Sequence, residues 1–485
     1  MVFSSSLFLL YFLPVFLLVY YFIDKRYRNA FALLSSVFYF AWGAPVFVFI
    51  ILVSILTDHL LNITMLRSEG SRRKYLLSAI ILLNVGLLVY FKYSNFLFDN
   101  LGFIFKLLKF NDLQVTKAIV PLGVSFITFQ KISYSIDVYR KKVKPAEGLV
   151  QYAYFILLFP KLFAGPIVRF GEISQSLADS GGEITNDQRL AGFFRFVIGL
   201  AKKVLIANVL GEQVDQLFAL PAQDFSTVLA WTAALGYTFQ IYFDFSGYSD
   251  MAIGIGTMMG FRFPENFNNP YTAGSITEFW RRWHMSLSNW LRDYIFLPRA
   301  YASSRRLKEN YYLGLKAEQW IYMEATLVTM LICGVWHGAA WTFIIWGLFQ
   351  GVIMILERLF LLKVYKKRRY IAIPITFFLT ILGWMMFRAE NIHQGLTLIR
   401  NLFSIKEAVN YTYVNPKFYT ILIIAAFSSF YGVFKGIESW QNKVLAYDQK
   451  TSSFVLITII SILLFILSLA TITSTGFSPF IYFRF

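Results

Sequence analysis

The apolar residues of this chain come in repeated blocks long enough to cross a lipid bilayer, for which a helix needs about 20 residues. Clear examples are Ser6–Ile23, Leu76–Phe91, Ile371–Phe387 and Phe454–Ala470. Of the 485 residues, 57% are hydrophobic and 15% are charged, whereas about a quarter of a soluble domain is charged. The pattern predicts an all-α polytopic integral membrane protein with roughly ten to twelve spanning or re-entrant helices.

The positions of the charges predict how the protein is oriented in the membrane. The formal net charge is +18, and basic residues cluster between apolar blocks, at Lys25–Arg28, Arg67–Lys74 and Arg140–Lys144. Lysine and arginine are retained on the cytoplasmic side of a membrane and attract anionic lipid. We therefore expect these clusters in the cytoplasm, the N-terminus outside and membrane lipid as a partner. The sequence has no soluble module with a basic face, which excludes nucleic-acid binding.

Two polar segments interrupt the apolar blocks in the middle of the chain. Gly171–Arg189 is polar and predicts a loop. Asp244 and Asp250 stand between the apolar blocks Val228–Phe243 and Met251–Gly260, and six residues do not bring two carboxylates onto one helix face. We expect a break in the helix here, with the carboxylates capping a helix or pairing with an interfacial arginine.

The longest polar interval is Phe261–Tyr322, in which apolar residues recur at near-helical spacing. We expect one amphipathic helix in the membrane surface, with its aromatic side down and Arg281 and Arg282 toward the lipid headgroups. The same two guanidinium groups would suit the phosphates of a nucleotide-bearing acyl donor. The apolar positions of this helix are Phe279, Trp280, Trp283, Leu287, Trp290 and Leu291.

The stretch Leu331–Gly347 is almost uniformly apolar and contains one strongly ionisable side chain, His337. Desolvation favours the neutral imidazole, whose free nitrogen can accept a proton from a hydroxyl or a thiol. We expect two short helices that turn near His337–Ala340. The tryptophans at 336, 341 and 346 would then line a narrow cavity. The alternative is a packing histidine that is hydrogen-bonded to a neighbouring helix.

The chain has only three other histidines, and of these His284 stands out because it lies in the unusual run Phe279–Ser286. It is either a second member of the site or a side chain that faces headgroups. The single cysteine, Cys333, excludes an intramolecular disulfide and a multi-cysteine metal site. A thiol nucleophile is one reading of it, and a small packing residue is the favoured one. Neither a metal-spaced histidine set nor a phosphate-binding glycine loop is present, so we expect no metal and no bound cofactor.

The motifs around these residues resemble those of a known family. The sequence carries YFDFSGYSDMAIGIG, MMGFRFPENFNNPY and SITEFWRRWHMSLSNWLRDY between Gln240 and Tyr294, followed by GVWHG at Gly334–Gly338. In this order they resemble the membrane-bound O-acyltransferase family, and within it the membrane subunits of bacterial alginate O-acetylation. The family's two characteristic histidines match His284 in RRWH and His337 in WHG. The likeness covers nearly the whole chain.

The resemblance implies a site and a fold. It implies one transferase domain over residues 1–485, with a motif-bearing core at about 118–390 and helices around a central tunnel. His337 and His284 would be catalytic. The acyl donor would contact four residues of the same motifs, namely Arg281, Arg282, Trp283 and Trp336.

The resemblance also implies a reaction. Acetyl-CoA would be the cytoplasmic donor substrate, and the acetyl group would cross the inner membrane of a bacterial cell. It would then O-acetylate an extracytoplasmic polysaccharide, alginate or another cell-surface polymer, with an extracytoplasmic acetyltransferase as a partner protein. After Tyr294 the chain reads IFLPRAYASSRRLKENYYLG and departs from the glycine- and asparagine-rich loop typical of alginate subunits, which leaves the acceptor polymer open.

Two other functions compete with this interpretation. A D-alanyl transfer subunit of teichoic acid modification would use an acyl-carrier partner instead of acyl-CoA. A transporter or flippase of envelope precursors would also need a polar path. Transporters usually carry inverted repeats with interrupted helices in matching halves, and the sequence shows no such repeat.

Overall fold

The computed structural model describes residues 1–107, 121, 123–221, 224–404, 414–433, 436, 451–475 and 480–481. This part of the chain is almost entirely helical, with one antiparallel pair of two-residue strands, β1 (Tyr311–Tyr312) and β2 (Leu315–Lys316). The predicted all-α architecture is therefore confirmed. The chain divides into two compact units, the first made of Met1–Phe196 and Met251–Pro264 and the second of Val197–Asp250 and Glu265–Phe485.

The described part of the chain contains the following helices, given in chain order. The first nine are α1 (Leu13–Phe22), α2 (Lys25–Gly43), α3 (Pro45–Leu66), α4 (Gly70–Leu88), α5 (Ser94–Leu107), α6 (Val124–Tyr139), α7 (Leu149–Leu157), α8 (Phe170–Ala178) and α9 (Asn186–Ala201). The next six are α10 (Asn208–Phe218), α11 (Thr227–Met258), α12 (Ile276–Trp280), α13 (Met285–Leu291), α14 (Leu297–Arg306) and α15 (Ala317–His337). The last six described are α16 (Trp341–Leu356), α17 (Leu362–Lys367), α18 (Arg369–Arg388), α19 (Ile392–Asn401), α20 (Pro416–Phe430) and α21 (Thr451–Thr475).

Six helical stretches in the described part of the chain are long and apolar enough to cross a bilayer. They are Pro45–Leu66, Gly70–Gly102, Trp341–Lys367, Arg369–Arg388, Pro416–Val433 and Val455–Ser474. The apolar helix Phe8–Phe22 is shorter. Among the other helices, α6 and α11 carry buried charged side chains. The protein is a multi-pass membrane protein.

Helix α11 is one continuous helix of 32 residues, so the break predicted around Asp244 and Asp250 is wrong. The two carboxylates pair with consecutive lysines of the π-helical turn Lys202–Ala207. Lys203 Nζ lies 2.5 Å from Asp244, and Lys202 Nζ lies 2.7 Å from Asp250. A charged pair can be buried where either charge alone could not, because the partner offsets part of the desolvation cost. The partners are lysines, not the interfacial arginines we expected.

The first unit also buries a charged pair. Lys131 of α6 lies 3.0 Å from Asp58 of α3, and both side chains are only 2% exposed. Asn84 of α4 donates to both carboxylate oxygens of Asp58, at 3.1 and 2.9 Å. These polar contacts join three helices, as is usual for polar side chains between helices in a bilayer.

Part of the predicted loop Gly171–Arg189 is helical, so this prediction was wrong over α8 and the start of α9. The Glu172 carboxylate accepts a hydrogen bond from the Arg169 backbone N–H at 2.8 Å, which caps the first turn of α8. Phe170, Ile173 and Leu177 form its buried face. On so short a helix only a few apolar residues mark the buried face, so the polar residues around them dominate the sequence pattern.

The single amphipathic helix predicted within Phe261–Tyr322 is also wrong. The structure has two short helices, α12 and α13, and the backbone between them adopts the left-handed conformation at His284, with φ 43°. The aromatic and leucine positions from Phe279 to Leu291 are at most 6% exposed, so they pack against protein and not against the membrane surface. Arg281 at this break is exposed.

Candidate active site

The turn that presents His337 is formed by two helices packed in glycine contact. Helix α15 ends at His337, and α16 begins after a short turn. A Cβ on Gly334 would lie 2.4 Å from the carbonyl oxygen of Phe343, and one on Gly347 would lie 2.4 Å from that of Met330. Only glycine allows the two backbones to approach so closely. The turn predicted near this histidine is confirmed.

Aromatic rings surround the imidazole of His337. The centroid of its ring lies 4.9 Å from that of Trp336, 5.0 Å from that of Trp346 and 5.1 Å from that of Phe387. The side chain is only 4% exposed. Trp336 and Trp346 therefore neighbour the imidazole of His337. Trp341 does not, because 52% of it is exposed. The narrow cavity between the tryptophans stays a prediction.

His284 is the second buried histidine of the same unit. It is 0% exposed, and its ring lies 4.6 Å from that of Phe245 and 6.2 Å from that of Trp336, centroid to centroid. One indole ring, that of Trp336, thus neighbours both histidines. The interpretation in which His284 faces lipid headgroups is wrong. Burial lowers the pKa of His284 to about 3, so the imidazole is neutral at physiological pH.

Asn266 holds His284 in place, and the sequence interpretation missed it. The Asn266 side-chain oxygen lies 3.0 Å from His284 Nδ1, and it accepts hydrogen bonds from the Ser286 backbone N–H and hydroxyl at 3.2 and 2.8 Å. The amide nitrogen donates to Ser249 Oγ at 2.9 Å. Asn266 stands among asparagines and prolines, which are typical of turns. Nothing in the local sequence indicates its contact with a residue 18 positions later.

Gln350 of α16 and Glu357, the residue after this helix, anchor the segment that precedes His284. The buried carboxylate of Glu357, which directly follows α16, accepts hydrogen bonds from the backbone N–H groups of Ile276 and Thr277 at 2.7 and 3.2 Å. It therefore caps the N-terminus of α12. Gln350 Oε1 accepts a hydrogen bond from the indole N–H of Trp280 at 3.2 Å. The segment that leads to His284 is thus held at Ile276 and Thr277 by Glu357 and at Trp280 by Gln350.

The expected donor-binding residues lie in different environments. Arg281 is exposed, whereas Arg282 forms an ion pair with Glu278 at 2.9 Å. Burial alone would raise the pKa of Glu278, but the Gly274 N–H and the guanidinium groups of Arg369 and Arg282 lower it overall. Trp283 is 1% exposed and lies in an aromatic cluster with Phe267, Phe279 and Trp384, at centroid distances of 5.0, 5.5 and 4.9 Å.

Cys333 is a residue of α15 and is 0% exposed. A thiolate is costly to form in such surroundings, so the packing interpretation fits this residue. Among the described residues there is no group of three or more His, Cys, Asp or Glu side chains that could hold a metal ion.

Comparison with known proteins identifies the family. Residues 37–393 match the family model described as MBOAT, membrane-bound O-acyltransferase family. The chain belongs to the membrane-bound O-acyltransferase family. The match includes both histidines and all of the motifs between them. The protein is therefore an O-acyltransferase.

This O-acyltransferase is similar to curated members of the family that act on different polymers. The probable alginate O-acetylase AlgI of Pseudomonas putida is 36% identical over 507 residues, which covers 100% of both chains. The peptidoglycan O-acetyltransferase of Helicobacter pylori is 33% identical over 438 residues, covering 83% of this chain and 80% of its own. The teichoic acid D-alanyltransferase of Bacillus subtilis is 30% identical over 283 residues, covering 56% of this chain and 69% of its own.

Proposed function

We propose that this O-acyltransferase takes an acetyl group from cytoplasmic acetyl-CoA and passes it across the bacterial inner membrane. There the acetyl group is transferred to hydroxyl groups of an extracytoplasmic polysaccharide. The observation that carries the proposal is the placement of two buried histidines, His284 and His337, whose rings both neighbour the indole ring of Trp336. Ionisable side chains buried in a membrane protein generally serve its function.

The chemistry proposed for His337 is general-base catalysis. One nitrogen of the neutral imidazole takes the proton of the accepting hydroxyl, while the hydroxyl oxygen bonds to the thioester carbon. The carbon–sulfur bond breaks, and the proton passes to the departing thiolate, so the products are an acetyl ester and free CoA thiol. The aromatic walls formed by Trp346 and Phe387 limit the access of water, which favours transfer over hydrolysis of the thioester.

Donor binding is assigned to the cytoplasmic side. Arg281 is exposed and is the better candidate for a phosphate of the donor, because Arg282 already pairs with Glu278. Trp336 would contact the acyl end of the donor between the histidines. Trp283 would act indirectly, because its packing in the aromatic cluster supports the backbone next to His284. The domain over residues 1–485, the central tunnel and an extracytoplasmic acetyltransferase partner belong to the same proposal.

The test is acetyl transfer by variants at His337. His337→Ala and His337→Gln should each lower the rate roughly 10²–10⁴-fold, because neither side chain can accept the proton. The measurement is transfer of labelled acetyl groups from acetyl-CoA in membranes that contain equal amounts of each variant. His393→Gln is the matched control, because His393 is an exposed histidine of α19, and it should behave like the wild type. Normal transfer by His337→Gln would make His337 a packing residue.

A second candidate acyl group comes from one specific observation, the likeness to teichoic acid D-alanyltransferases over about half of the chain. Such an enzyme would take D-alanine from a protein carrier. The two reactions separate in one assay, in which purified protein receives either acetyl-CoA or a D-alanyl-loaded carrier protein. Acetyl-CoA consumption that depends on His337 supports acetyl transfer. Consumption of the carrier thioester alone would assign the protein to D-alanyl transfer, and consumption of neither would favour a transport function.

A further inference from the structure

The hydrogen-bond partners of Asn266 determine which nitrogen of His284 carries the proton. The oxygen and nitrogen of an asparagine amide must be assigned from their partners. The partner that decides here is the Ser286 backbone N–H, which can only donate and lies 3.2 Å from Asn266 Oδ1. With the amide reversed, two N–H groups would face each other. The atom that faces His284 is therefore an oxygen, which can only accept.

The tautomer of His284 follows from this assignment. Since Asn266 Oδ1 only accepts, His284 Nδ1 donates the hydrogen bond of 3.0 Å that joins them. The ring is neutral when its second nitrogen carries no proton, and Nε2 then presents a lone pair. Nε2 is buried and has no hydrogen-bond partner among the described residues. A buried lone pair that is left without a donor is unfavourable, so a ligand that donates is favoured there.

Backbone hydrogen bonds keep Asn266 next to His284. The Met285 N–H donates to the Asn266 carbonyl at 2.9 Å, and the Asn268 N–H donates to the Arg282 carbonyl at 2.9 Å. These two bonds join the segment Asn266–Asn268 to the backbone on both sides of His284. The φ of His284 is 43°, a left-handed value that is unfavourable for any residue with a Cβ. Strain of this kind persists only where the surroundings enforce it, and it is concentrated at functional sites.

We propose that Asn266 is a positioning residue that fixes His284 as the Nδ1–H tautomer, so that His284 Nε2 accepts a hydrogen bond from a sugar hydroxyl next to the one that reacts. This inference rests on the proposed function and deepens it. It divides the work between the two histidines, in that His284 orients the acceptor through this neighbouring hydroxyl and His337 removes the proton of the reacting hydroxyl. A thioester carbonyl cannot fill the site at Nε2, because it has no proton to donate. The site therefore discriminates the acceptor from the donor.

The first measurement is the tautomer itself, by ¹⁵N solid-state NMR of histidine-labelled protein in lipid. The chain has four histidines, and the signals that disappear in His284→Gln identify His284. The wild type should show a protonated Nδ1 and an unprotonated Nε2. Asn266→Asp keeps an acceptor and should preserve this pattern, whereas Asn266→Ala should give a mixture or the opposite tautomer. A protonated Nε2 in the wild type, or an unchanged pattern in Asn266→Ala, would overturn the assignment.

The second measurement is the transfer rate with acetyl-CoA and a soluble oligosaccharide. Asn266→Ala should lower kcat roughly 10²–10⁴-fold, the range by which acid–base positioning contributes, with an unchanged KM for acetyl-CoA. Asn266→Asp should recover most of this loss. Asn289→Ala is the matched control, because Asn289 is an exposed asparagine of α13, and it should keep the wild-type tautomer and rate.

The two measurements distinguish a failure of the inference about His284 from a failure of the proposed function. Equal rates for Asn266→Ala and the wild type, in a protein whose tautomer has changed, would overturn the role of Nε2. If the wild type transfers no acetyl group at all, the proposed function fails, and the NMR pattern still decides the assignment of Asn266.

Discussion

His284 shows how burial alone determines the response of a side chain to acid. Its pKa is about 3 in the folded protein, against an ordinary value of 6.5. Between these values the unfolded chain binds the proton and the folded chain does not, so acid favours unfolding. Above pH 6.5 the residue contributes no pH dependence, and below it stability is lost by up to about 1.4 kcal/mol per pH unit.

The prediction is that His284→Gln has a flatter pH dependence of stability than the wild type between pH 6.5 and pH 3. Thermal unfolding in detergent at a series of pH values measures both slopes. The comparison uses slopes, because the substitution also changes stability at neutral pH through its lost contacts. Parallel curves for the two proteins would mean that His284 is not buried as a neutral group.

Of the two arginines beside His284, Arg281 is the one that we expect to contact the donor. Arg281 is exposed, and Arg282 is held by Glu278. Arg281→Gln should raise the KM for acetyl-CoA roughly tenfold or more, since a charge-assisted contact is worth about 1.5–3 kcal/mol. Arg305→Gln, at an exposed arginine of α14, is the control for net charge. If both variants raise the KM equally, Arg281 acts through general charge and not through a specific contact.

The helix pair α15–α16 depends on the absence of side chains at its contact. Gly334→Ala and Gly347→Ala should each destabilise the protein by about 1–3 kcal/mol, because either new methyl group would meet backbone at 2.4 Å. Both should also lower transfer, since the turn at His337 would shift. Gly86→Ala in α4 is the control, because a Cβ there meets nothing within 4 Å.

Thermal unfolding and transfer rates of these three glycine variants test the prediction together. Alanine is favoured over glycine inside a helix by roughly 0.5–1 kcal/mol, so Gly86→Ala should be neutral or slightly stabilising. Stability equal to that of the control in Gly334→Ala would show that the helices do not pack in glycine contact.

At the scale of elements, the sequence predicted what depends on neighbouring residues in the chain. The turn at His337 follows a long apolar run and contains Gly338, and both features are local. The break between α12 and α13 depends on Asn266 and Glu357, which lie outside that segment, so its aromatic spacing alone predicted one helix. The sequence around Asp244 and Asp250 predicted a break in the helix, because their lysine partners belong to another element. Contacts of this kind cannot be predicted from periodicity.

At the scale of the whole molecule, the basic clusters predict orientation in the membrane. Arg73 of the second cluster donates to the carbonyl of Tyr139, next to the third cluster, at 2.7 Å. The guanidinium group of Arg73 also lies 5.0 Å from the centre of the Tyr139 ring. The clusters at Arg67–Lys74 and Arg140–Lys144 therefore share one end of the first unit. One side of the membrane must hold both.

We expect that side to be the cytoplasm. Cysteines placed singly at Lys74 and at Lys144, both of which are exposed, should react with an impermeant thiol reagent only after the cells are opened. Replacing Cys333 with alanine first removes the one native thiol. Labelling of intact cells at both positions would invert the predicted orientation, and labelling at only one would contradict the structure of the first unit.

The pairing of Lys202 and Lys203 with Asp250 and Asp244 has a consequence for biosynthesis. An aspartate or a lysine at the centre of a helix entering the bilayer alone costs about 2.5–3.5 kcal/mol at the translocon. The lysines are synthesised before the carboxylates of α11, so the charges of the lysine segment are neutralised only after α11 has been made. The stretch from α9 to α11 is then a single unit of insertion, and truncating the nascent chain before Asp244 would leave the lysine segment outside the lipid.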